Sequence, residues 1–458
     1  MKKKFKAKYV LFLAIVIFIF LIIWVFFKYM EAEKPVIAIK PDITFLSSSQ
    51  ALDISAKDIK SGLKSISIEL IQDDKSKVLY SKRLKGSLFN YNKNKKKYSI
   101  EFMLEPLKLD FYNGDAKLII IARDYSWRSW FKGNSAKISK DITIDAEPPV
   151  VEVLTSNHYI SPGGSALVIY KLNEKTKKSG VIIDNKFFPG YSGYFKNNNI
   201  YLCFFALDYN KHKVDQLYVQ AVDLAGNISK KGFDCYIKSK HFDHEVLDIT
   251  DSFLSRKLPE FEKYVDFDPK ETKIEKYLEI NNRLRSKSYK ELFTLSGKSE
   301  NKMYWSGAFL RNKGATTANF ADQRSYRYKG KIIDKEVHMG VDIASFKHAP
   351  VKAANNGKVV LTKAIGIFGD TVVIDHGFGL FSMYSHLSKI SVKNNQIVSK
   401  GDIIGNTGMT GLAGGDHLHY GMFINKTFIN PIEWWDENWI SNNIITKLKN
   451  VEESIKFR

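Results

Sequence analysis

The chain has 458 residues, of which 44% are hydrophobic and 13% aromatic. It is long enough for several domains and apolar enough for packed cores, which excludes a largely disordered protein. Its formal net charge of +21 favours polyanionic partners such as nucleic acid, anionic lipid or acidic cell-wall polymer, or reflects a lysine-rich proteome. No zinc-finger, homeodomain or RNP-like pattern occurs, so we expect no nucleic-acid partner.

The N-terminus predicts a membrane anchor. Lysines at positions 2, 3, 4, 6 and 8 precede an uncharged apolar run of 19 residues, Tyr9–Phe27, close to the roughly 20 that span a bilayer as a helix. Residues 28–31 contain no small-x-small cleavage site. We therefore predict a cytoplasmic basic tail at 1–8 and an uncleaved transmembrane helix at 9–28. This makes a single-pass protein of the cytoplasmic (inner) membrane, with its bulk periplasmic or otherwise extracytoplasmic.

Residues 32–240 have the pattern of β structure. Short alternating runs such as Leu63–Leu70 recur between turn residues. A weak internal duplication is also present. The matching pairs are Ala51–Ser55 with Ala166–Tyr170, and Ile120–Asp124 with Val219–Asp223.

Two copies of about 100 residues with about seven strands each predict immunoglobulin-like (Ig-like) sandwiches at 32–147 and 148–240, joined at a diproline. The segment at 221–227, Ala-Val-Asp-Leu-Ala-Gly-Asn, resembles the strand-turn ending of bacterial Ig-like repeats. This implies spacer or adhesion modules, which are candidates to bind cell-division or wall-synthesis proteins. Cys203 and Cys235, the only cysteines, lie in strand-like segments and could form one disulfide outside the membrane.

Residues 241–300 change to helical spacing. Apolar residues recur at helical intervals over Ile249–Leu258 and Lys273–Phe293, which predicts a helical connector packed on a neighbouring domain. Strand patterns return in a β domain at 301–445, with Trp434 and Trp435 sealing its end, and 446–458 are expected to form a charged, poorly ordered tail. The predicted fold class is thus mainly β, with one N-terminal transmembrane helix, two Ig-like sandwiches, a short helical connector and a C-terminal antiparallel domain.

Six of the ten histidines lie in one stretch of the last domain. His338 and Asp342 form an H-x-x-x-D pair, and about eighty residues later His417 and His419 form an H-x-H pair, with His386 between them. Imidazoles and a carboxylate in this combination are the ligands that a catalytic zinc site uses.

Spacing constrains the geometry of such a site. On one straight strand His338 and Asp342 would lie roughly 13 Å apart, whereas ligands of one zinc ion lie about 2 Å from it. The chain must therefore bend, and Gly340 permits a bend. On a strand His417 and His419 would lie about 7 Å apart, which suits one ligand and one group beside it. Spacing leaves open which is which.

Three protein ligands with a water molecule form the open arrangement of catalytic zinc. Zinc lowers the pKa of its water to about 7 and polarises a carbonyl. Neighbouring imidazoles can take the proton and support the oxyanion, so peptide hydrolysis is the natural reaction class.

Four motifs together resemble the lysostaphin-type (LytM-like) zinc metallopeptidases over about 301–440: His338-x-Gly340-x-Asp342, Tyr384-x-His386-Leu387, Gly401 through Gly411, and His417-Leu418-His419. The resemblance implies a compact antiparallel β fold, one zinc ion, and endopeptidase action on peptidoglycan cross-links, either glycine bridges or direct ones. It implies that His338, Asp342 and His419 are zinc ligands, that His417 is the general base, and that His386 stabilises the transition state. None of these positions departs from the family pattern.

Alternatives remain beside this interpretation. The alternative function is a non-cutting wall-binding or amidase-activating regulator built on the same fold. Relatives that only activate amidases have typically lost some of these residues, whereas this chain keeps all five. A third hypothesis makes the β domains the main functional part, as an adhesin or spacer. His376 resembles a structural histidine of the family, and His348 fits the surface or the second shell. Arg324, Tyr326 and Tyr328 either line the substrate groove or are exposed loop residues.

Overall fold

The computed structural model describes residues 2–456. Its first helix, α1, is Lys2–Tyr29, and the segment Lys8–Tyr29 is the one helix in the described range that is long and apolar enough to cross a membrane. At 1.5 Å per residue its 22 residues reach about 33 Å, which exceeds the apolar thickness of a bilayer. The prediction of a single N-terminal apolar helix is confirmed. The predicted basic tail is helical from Lys2, and Met1 lies outside the described residues.

The chain divides into two compact units, of which the first comprises the residues up to Pro148 together with Val222–Asn227. Its elements up to Pro148, besides α1, are β1 (Val36–Lys40), β2 (Phe45–Leu46), β3 (Gln50–Lys57), β4 (Leu63–Gln72), β5 (Lys75–Arg83), a 3₁₀ turn (Tyr91–Lys93), β6 (Lys97–Leu104), a 3₁₀ turn (Pro106–Leu109), β7 (Gly114–Asp124), the single turn α2 (Arg128–Phe131) and β8 (Ser135–Ile144). The strands form a three-stranded sheet in the order β1-β3-β6 and a five-stranded sheet in the order β2-β8-β7-β4-β5. Both sheets bury alternate side chains, such as Ile54 and Ile68, in one shared core.

The second unit begins at Pro149. Its first strands are β9 (Val151–Val153), β10 (His158–Ile160), β11 (Ser165–Leu172), β12 (Thr176–Ile183), β13 (Lys186–Pro189), β14 (Ile200–Ala206), β15 (Leu217–Asp223), β16 (Ile228–Gly232) and β17 (Cys235–Ile237). They form sheets in the orders β14-β11-β9 and β13-β12-β15-β16, and β10 pairs with β17. Cys203 is buried, Cys235 is half-buried, and both are free thiols. The Ig-like assignment of the two β regions stays a prediction.

The connector begins with a strand that the helical pattern did not predict. Its elements are β18 (His244–Asp248), α3 (Asp251–Lys257), a 3₁₀ turn (Leu258–Phe261), α4 (Lys273–Glu279), a π turn (Ile280–Leu284), α5 (Arg285–Phe293) and a 3₁₀ turn (Ser296–Lys298). A capping box starts α4, because Thr272 and Glu275 each accept a backbone N–H of the other. The two predicted helical stretches are therefore present.

The last region is an antiparallel β domain. Its elements are β19 (Ala315–Ala318), β20 (Gln323–Tyr328), β21 (Lys331–Val337), β22 (Val341–Ala344), β23 (Pro350–Lys352), β24 (Gly357–Ile365), a 3₁₀ turn (Gly366–Phe368), β25 (Gly369–Gly377), β26 (Leu380–Leu387), β27 (Lys389–Ile390), β28 (Ile397–Val398), β29 (Ile403–Asn406), β30 (Leu418–Ile424), β31 (Thr427–Ile429), α6 (Pro431–Trp435), α7 (Glu437–Ile440), a π turn (Ser441–Ile445) and α8 (Thr446–Lys456). The main sheet has the order β19-β22-β30-β26-β25-β24-β28, with β31 beside β30. The connector strand β18 joins β20 in parallel and completes the sheet β18-β20-β21.

The C-terminal segment differs from the expected disordered tail. Its residues up to Lys456 form α8, and Leu448 and Val451 are buried. The Nζ atom of Lys447 donates to the backbone carbonyl of Leu167. The apolar residues in this charged segment have helical spacing, so one face packs while the other is charged. Residues 457–458 lie outside the described range.

Candidate metal centre

Two adjacent strands and one turn carry the predicted ligands. His338 follows the last residue of β21, and the chain bends over residues 338–340 before β22 begins. Asp342 in β22 lies directly opposite His419 in β30 in an antiparallel register. The expected bend is therefore present, and it turns the two members of the H-x-x-x-D pair toward each other.

Three donor atoms converge at this point. His338 Nε2 lies 3.0 Å from Asp342 Oδ1 and 2.9 Å from His419 Nδ1. His419 Nδ1 lies 2.9 Å from Asp342 Oδ1. The three residues are buried, and their ligand atoms all lie within 4.8 Å of one another, close enough to bind one metal ion.

Neighbouring groups orient these ligands. His338 Nδ1 donates to the carbonyl of Asn319 at 2.9 Å, which leaves the lone pair of Nε2 free for a metal. Arg324 Nη2 donates to Asp342 Oδ2 at 3.2 Å, which leaves Oδ1 turned toward the histidines. Arg324 is itself held by Glu245 of the connector strand, with Nε 2.5 Å from Oε1. Such supporting contacts fix the tautomer and orientation of a metal ligand.

Gly340 has a role that the sequence did not indicate. A Cβ atom at this position would lie 2.6 Å from Cε1 and 2.7 Å from Nε2 of His419. Glycine therefore makes room for the imidazole of His419. The Nε2 atom of His419 is buried and has no hydrogen-bond partner among the described residues.

His386 and His417 lie beside the three ligands. Their ring centroids are 4.9 Å apart, and His417 Nε2 is 3.5 Å from Asp342 Oδ1. His386 Nδ1 donates to the carbonyl of Thr410, and His417 Nδ1 donates to that of Gly415, each at 2.8 Å. Both side chains therefore keep Nε2 available. His386 has a left-handed backbone with φ of 61°, a conformation that is uncommon for residues other than glycine.

The electrostatics follow from burial and from the single carboxylate. Burial raises the pKa of Asp342, but the charge and hydrogen bond of His338 and the hydrogen bonds of His417 and His419 outweigh it and hold this pKa well below its usual range. Burial lowers the pKa of His419 to about 4. Burial and the neighbouring His417 and His419 lower the pKa of His386 well below its usual range. For His417, burial lowers the pKa, but the hydrogen bond to Asp342 and its charge reverse this, so the pKa is raised.

The five residues open into a cavity of about 310 Å³. One wall comes from the loops around Ile367–Phe368 and Leu412–Gly414. Arg324 and Tyr326 also line the cavity, which is one of the two alternatives that the sequence left open for them. Connector residues form another part of the wall, namely Leu247, Asp248, Ile249, Phe253, Tyr277 and Arg285.

The remaining predicted residues lie away from the donor atoms. His376 is buried, with its ring nitrogens 2.8 Å from the carbonyl of Asn356 and 2.7 Å from Ser382 Oγ, which makes it a structural histidine. His348 is exposed, and its Nδ1 is 3.0 Å from Ser388 Oγ. Tyr328 hydrogen-bonds to Asp251 instead of lining the cavity. Trp434 is fully buried, as expected of a residue that seals the domain.

The donor set fits a divalent metal such as zinc. Two imidazole nitrogens and one carboxylate oxygen are typical zinc ligands, and three protein ligands leave a position for water or substrate. His338, Asp342 and His419 line the cavity, so a metal held by them would be accessible from that space. An antiparallel β domain with this donor set has the features of a metallopeptidase.

In a comparison with known proteins, the model of Peptidase family M23 matches residues 336–431, within the C-terminal β domain. The peptidoglycan DD-endopeptidase ShyA of Vibrio cholerae is 35% identical over 122 residues, 27% of this chain and 28% of that protein. The DD-carboxypeptidase/endopeptidase Mpg of Neisseria meningitidis is 36% identical over 107 residues, 23% of this chain and 25% of that protein. The match thus spans about a quarter of the length of these relatives. The catalytic domain of the antimicrobial peptidase lysostaphin from Staphylococcus simulans is 29% identical, with 27% of this chain and 92% of that one covered at a TM-score of 0.24.

Proposed function

We propose that the chain is a membrane-anchored zinc endopeptidase that hydrolyses peptide cross-links of bacterial peptidoglycan. The observation that carries the proposal is the convergence of three ligand atoms, from His338, Asp342 and His419, beside two further imidazoles in one cavity. The M23 match and the names of the two curated relatives support the reaction and the substrate class.

His417 is assigned the transfer of a proton. Zinc bound by the three ligands would lower the pKa of a water molecule to about 7 and polarise the substrate carbonyl. His417 accepts the proton at Nε2, because its Nδ1–H is already donated to the carbonyl of Gly415. The carboxylate of Asp342, 3.5 Å away, stabilises the resulting imidazolium, which can then protonate the leaving amine.

His386 is assigned stabilisation of the transition state. Its Nε2 faces the same cavity, because Nδ1 is held by the carbonyl of Thr410. Donation from Nε2 to the substrate carbonyl oxygen requires the doubly protonated ring, because Nδ1 already carries the proton donated to Thr410. Burial disfavours that form in the free protein, and the negative charge that develops on the carbonyl oxygen would favour it.

The location of the site is part of the proposal. The apolar length of Lys8–Tyr29 supports a single transmembrane helix. The lysines before it favour a cytoplasmic N-terminus, which would place the metal centre on the side of the membrane where peptidoglycan lies. The β regions at 32–147 and 148–240, taken as Ig-like modules, would act as spacers and as binding sites for cell-division or wall-synthesis proteins.

Full-length protein in detergent, with isolated sacculi as substrate, tests this function. Wild type should bind about one zinc ion and release peptide fragments whose masses distinguish a direct cross-link from a glycine bridge. His419→Ala should lose both zinc and activity, whereas His417→Ala should keep zinc and lose about 10²–10⁴-fold in rate. His212→Ala, an exposed histidine of the β region, is the matched control and should behave as wild type. A zinc-loaded wild type that releases nothing from any sacculus would favour the non-cutting regulator.

A further inference from the structure

The first unit contains an aromatic surface that the peptidase function does not use. Phe89, Trp130 and Phe131, called here the aromatic rim, have exposed fractions of 69%, 92% and 47%. Single exposed apolar side chains are common, but Phe89 and Phe131 both contact the ring of Trp127, and Trp130 is next to Phe131 in sequence. A group of this kind marks a candidate interaction surface. The rim is close in space to the end of α1, because Phe89, Phe131 and the last residue of α1, Tyr29, all contact the ring of Trp127.

The rim is tied to α1 by a set of specific contacts. The ring of Tyr29, the last residue of α1, stacks on Trp127 with centroids 4.7 Å apart. The Tyr29 carbonyl accepts from the backbone N–H of Trp127 at 3.0 Å and from Tyr91 Oη at 2.9 Å. Tyr29 Oη donates to the carbonyl of Phe89 at 2.8 Å. The loop after β7 and the segment around Phe89 are therefore fixed at the level where the helix ends.

That level is the surface of the bilayer if α1 spans it. The 22 apolar-rich residues ending at Tyr29 are only slightly longer than the roughly 30 Å of hydrocarbon that they would cross. Trp130 and Phe131 follow Trp127 by three and four residues, so they stay within about 14 Å of it. Residues so close to the end of a transmembrane helix are within reach of the headgroup region.

The loop has an unusual backbone that is held in place by a hydrogen bond, and its charges suit a lipid surface. Ser129, Trp130 and Phe131 have φ values of 52°, 54° and 63°, a left-handed run that is unfavourable for residues other than glycine. Lys64 Nζ donates to the carbonyl of Phe131 at 2.9 Å and helps to hold the run in place. Arg128 and Lys132 flank the aromatic residues in sequence and supply positive charge suited to lipid phosphates.

We propose that the aromatic rim is a membrane-contact surface that inserts into the lipid headgroup layer beside α1. Tryptophan favours this layer because its ring is apolar and its N–H can still be hydrated. The proposal rests on the membrane anchor of the proposed function, and it adds that the first β unit contacts the bilayer directly.

Spin labels on the full-length protein test this surface. The parent carries Cys235→Ser, and Cys203 is fully buried, so a labelling reaction on the parent should give no signal. Single cysteines are then introduced as Trp130→Cys, Phe89→Cys, Phe18→Cys within α1 and Val78→Cys, an exposed position of β5 that serves as the control. Each is reconstituted in vesicles of phosphatidylethanolamine and phosphatidylglycerol, and the collision rates of the label with oxygen and with a water-soluble nickel chelate are measured.

The expected result is an oxygen-to-nickel ratio several-fold higher at positions 130, 89 and 18 than at 78. A high ratio at 18 with low ratios at 130 and 89 would overturn the proposal while leaving the anchor intact. Low access of both reagents at 130 and 89 would also overturn it, because it would mean that protein covers the rim. A low ratio at 18 would refute the anchor and the rim together, and it would leave the zinc and hydrolysis experiments unaffected.

Discussion

Replacing Gly340 by alanine tests the account of the metal centre most directly. The added Cβ would lie 2.6–2.7 Å from two ring atoms of His419 and 2.7 Å from the carbonyl oxygen of Tyr420, whereas ordinary contacts lie at 3.4–4 Å. One of these groups must therefore move by about 0.8 Å. Two of the three close atoms belong to the ligand ring, and the third is backbone of the strand that carries it. Relief of the contact therefore shifts His419 itself.

Overpacking of this kind costs about 1–3 kcal/mol. If about 2 kcal/mol of it falls on the metal-bound state, zinc affinity decreases about 30-fold. Competition with a chromophoric zinc chelator measures the affinity, and release of fragments from sacculi measures the activity. Gly297→Ala is the matched control, because a Cβ there has no neighbour within 4 Å. Unchanged zinc affinity in Gly340→Ala, with the control also unchanged, would refute the placement of the His419 ring.

Two further predictions concern charged groups. Arg324→Met removes the hydrogen bond to Asp342 Oδ2 and should lower zinc affinity about 10–100-fold. Arg327 lies on the same strand but is partly exposed, so Arg327→Met should leave zinc affinity unchanged. Equal effects of the two substitutions would contradict the inference that Arg324 positions Asp342. Burial raises the pKa of Glu433 from 4.5 to about 7. The folded state therefore keeps a proton that the unfolded state releases, and stability falls by up to about 3 kcal/mol as pH rises through this window. Glu433→Gln should abolish that fall in urea unfolding at about pH 5 and about pH 8; an unchanged pH dependence would assign it to other groups.

The five residues that the sequence singled out lie together around one cavity, and their roles stay a proposal. The spacing of His338 and Asp342 required a bend, and the structure has one between β21 and β22. Spacing could not decide which of His417 and His419 lies beside Asp342, because their positions depend on the register between β22 and β30. The register sets Asp342 opposite His419, whereas His417 precedes the strand.

The supporting contacts could not be predicted. Asn319, Thr410 and Gly415 hold the histidines through backbone carbonyls, which leave no trace in side-chain identity. The parallel pairing of β18 with β20 joins segments about eighty residues apart, and a five-residue strand beside helices carries little periodic signal. The expectation of a poorly ordered tail at 446–458 was wrong up to Lys456, because the helical spacing of Leu448 and Val451 lets one face of this charged segment pack.

The residues that shape the cavity and the residues that would bind the metal lie partly in different segments of the sequence. The proposed metal ligands all lie inside the segment that matches the M23 model, 336–431, whereas Phe253, Tyr277 and Arg285 of the cavity wall lie well before it. Mutations in the connector can therefore reshape the space open to a substrate peptide while the ligand set stays constant. Under the proposed function, a lineage could therefore change the cross-link that it fits without losing its metal ligands, and relatives with different substrates should differ in the connector.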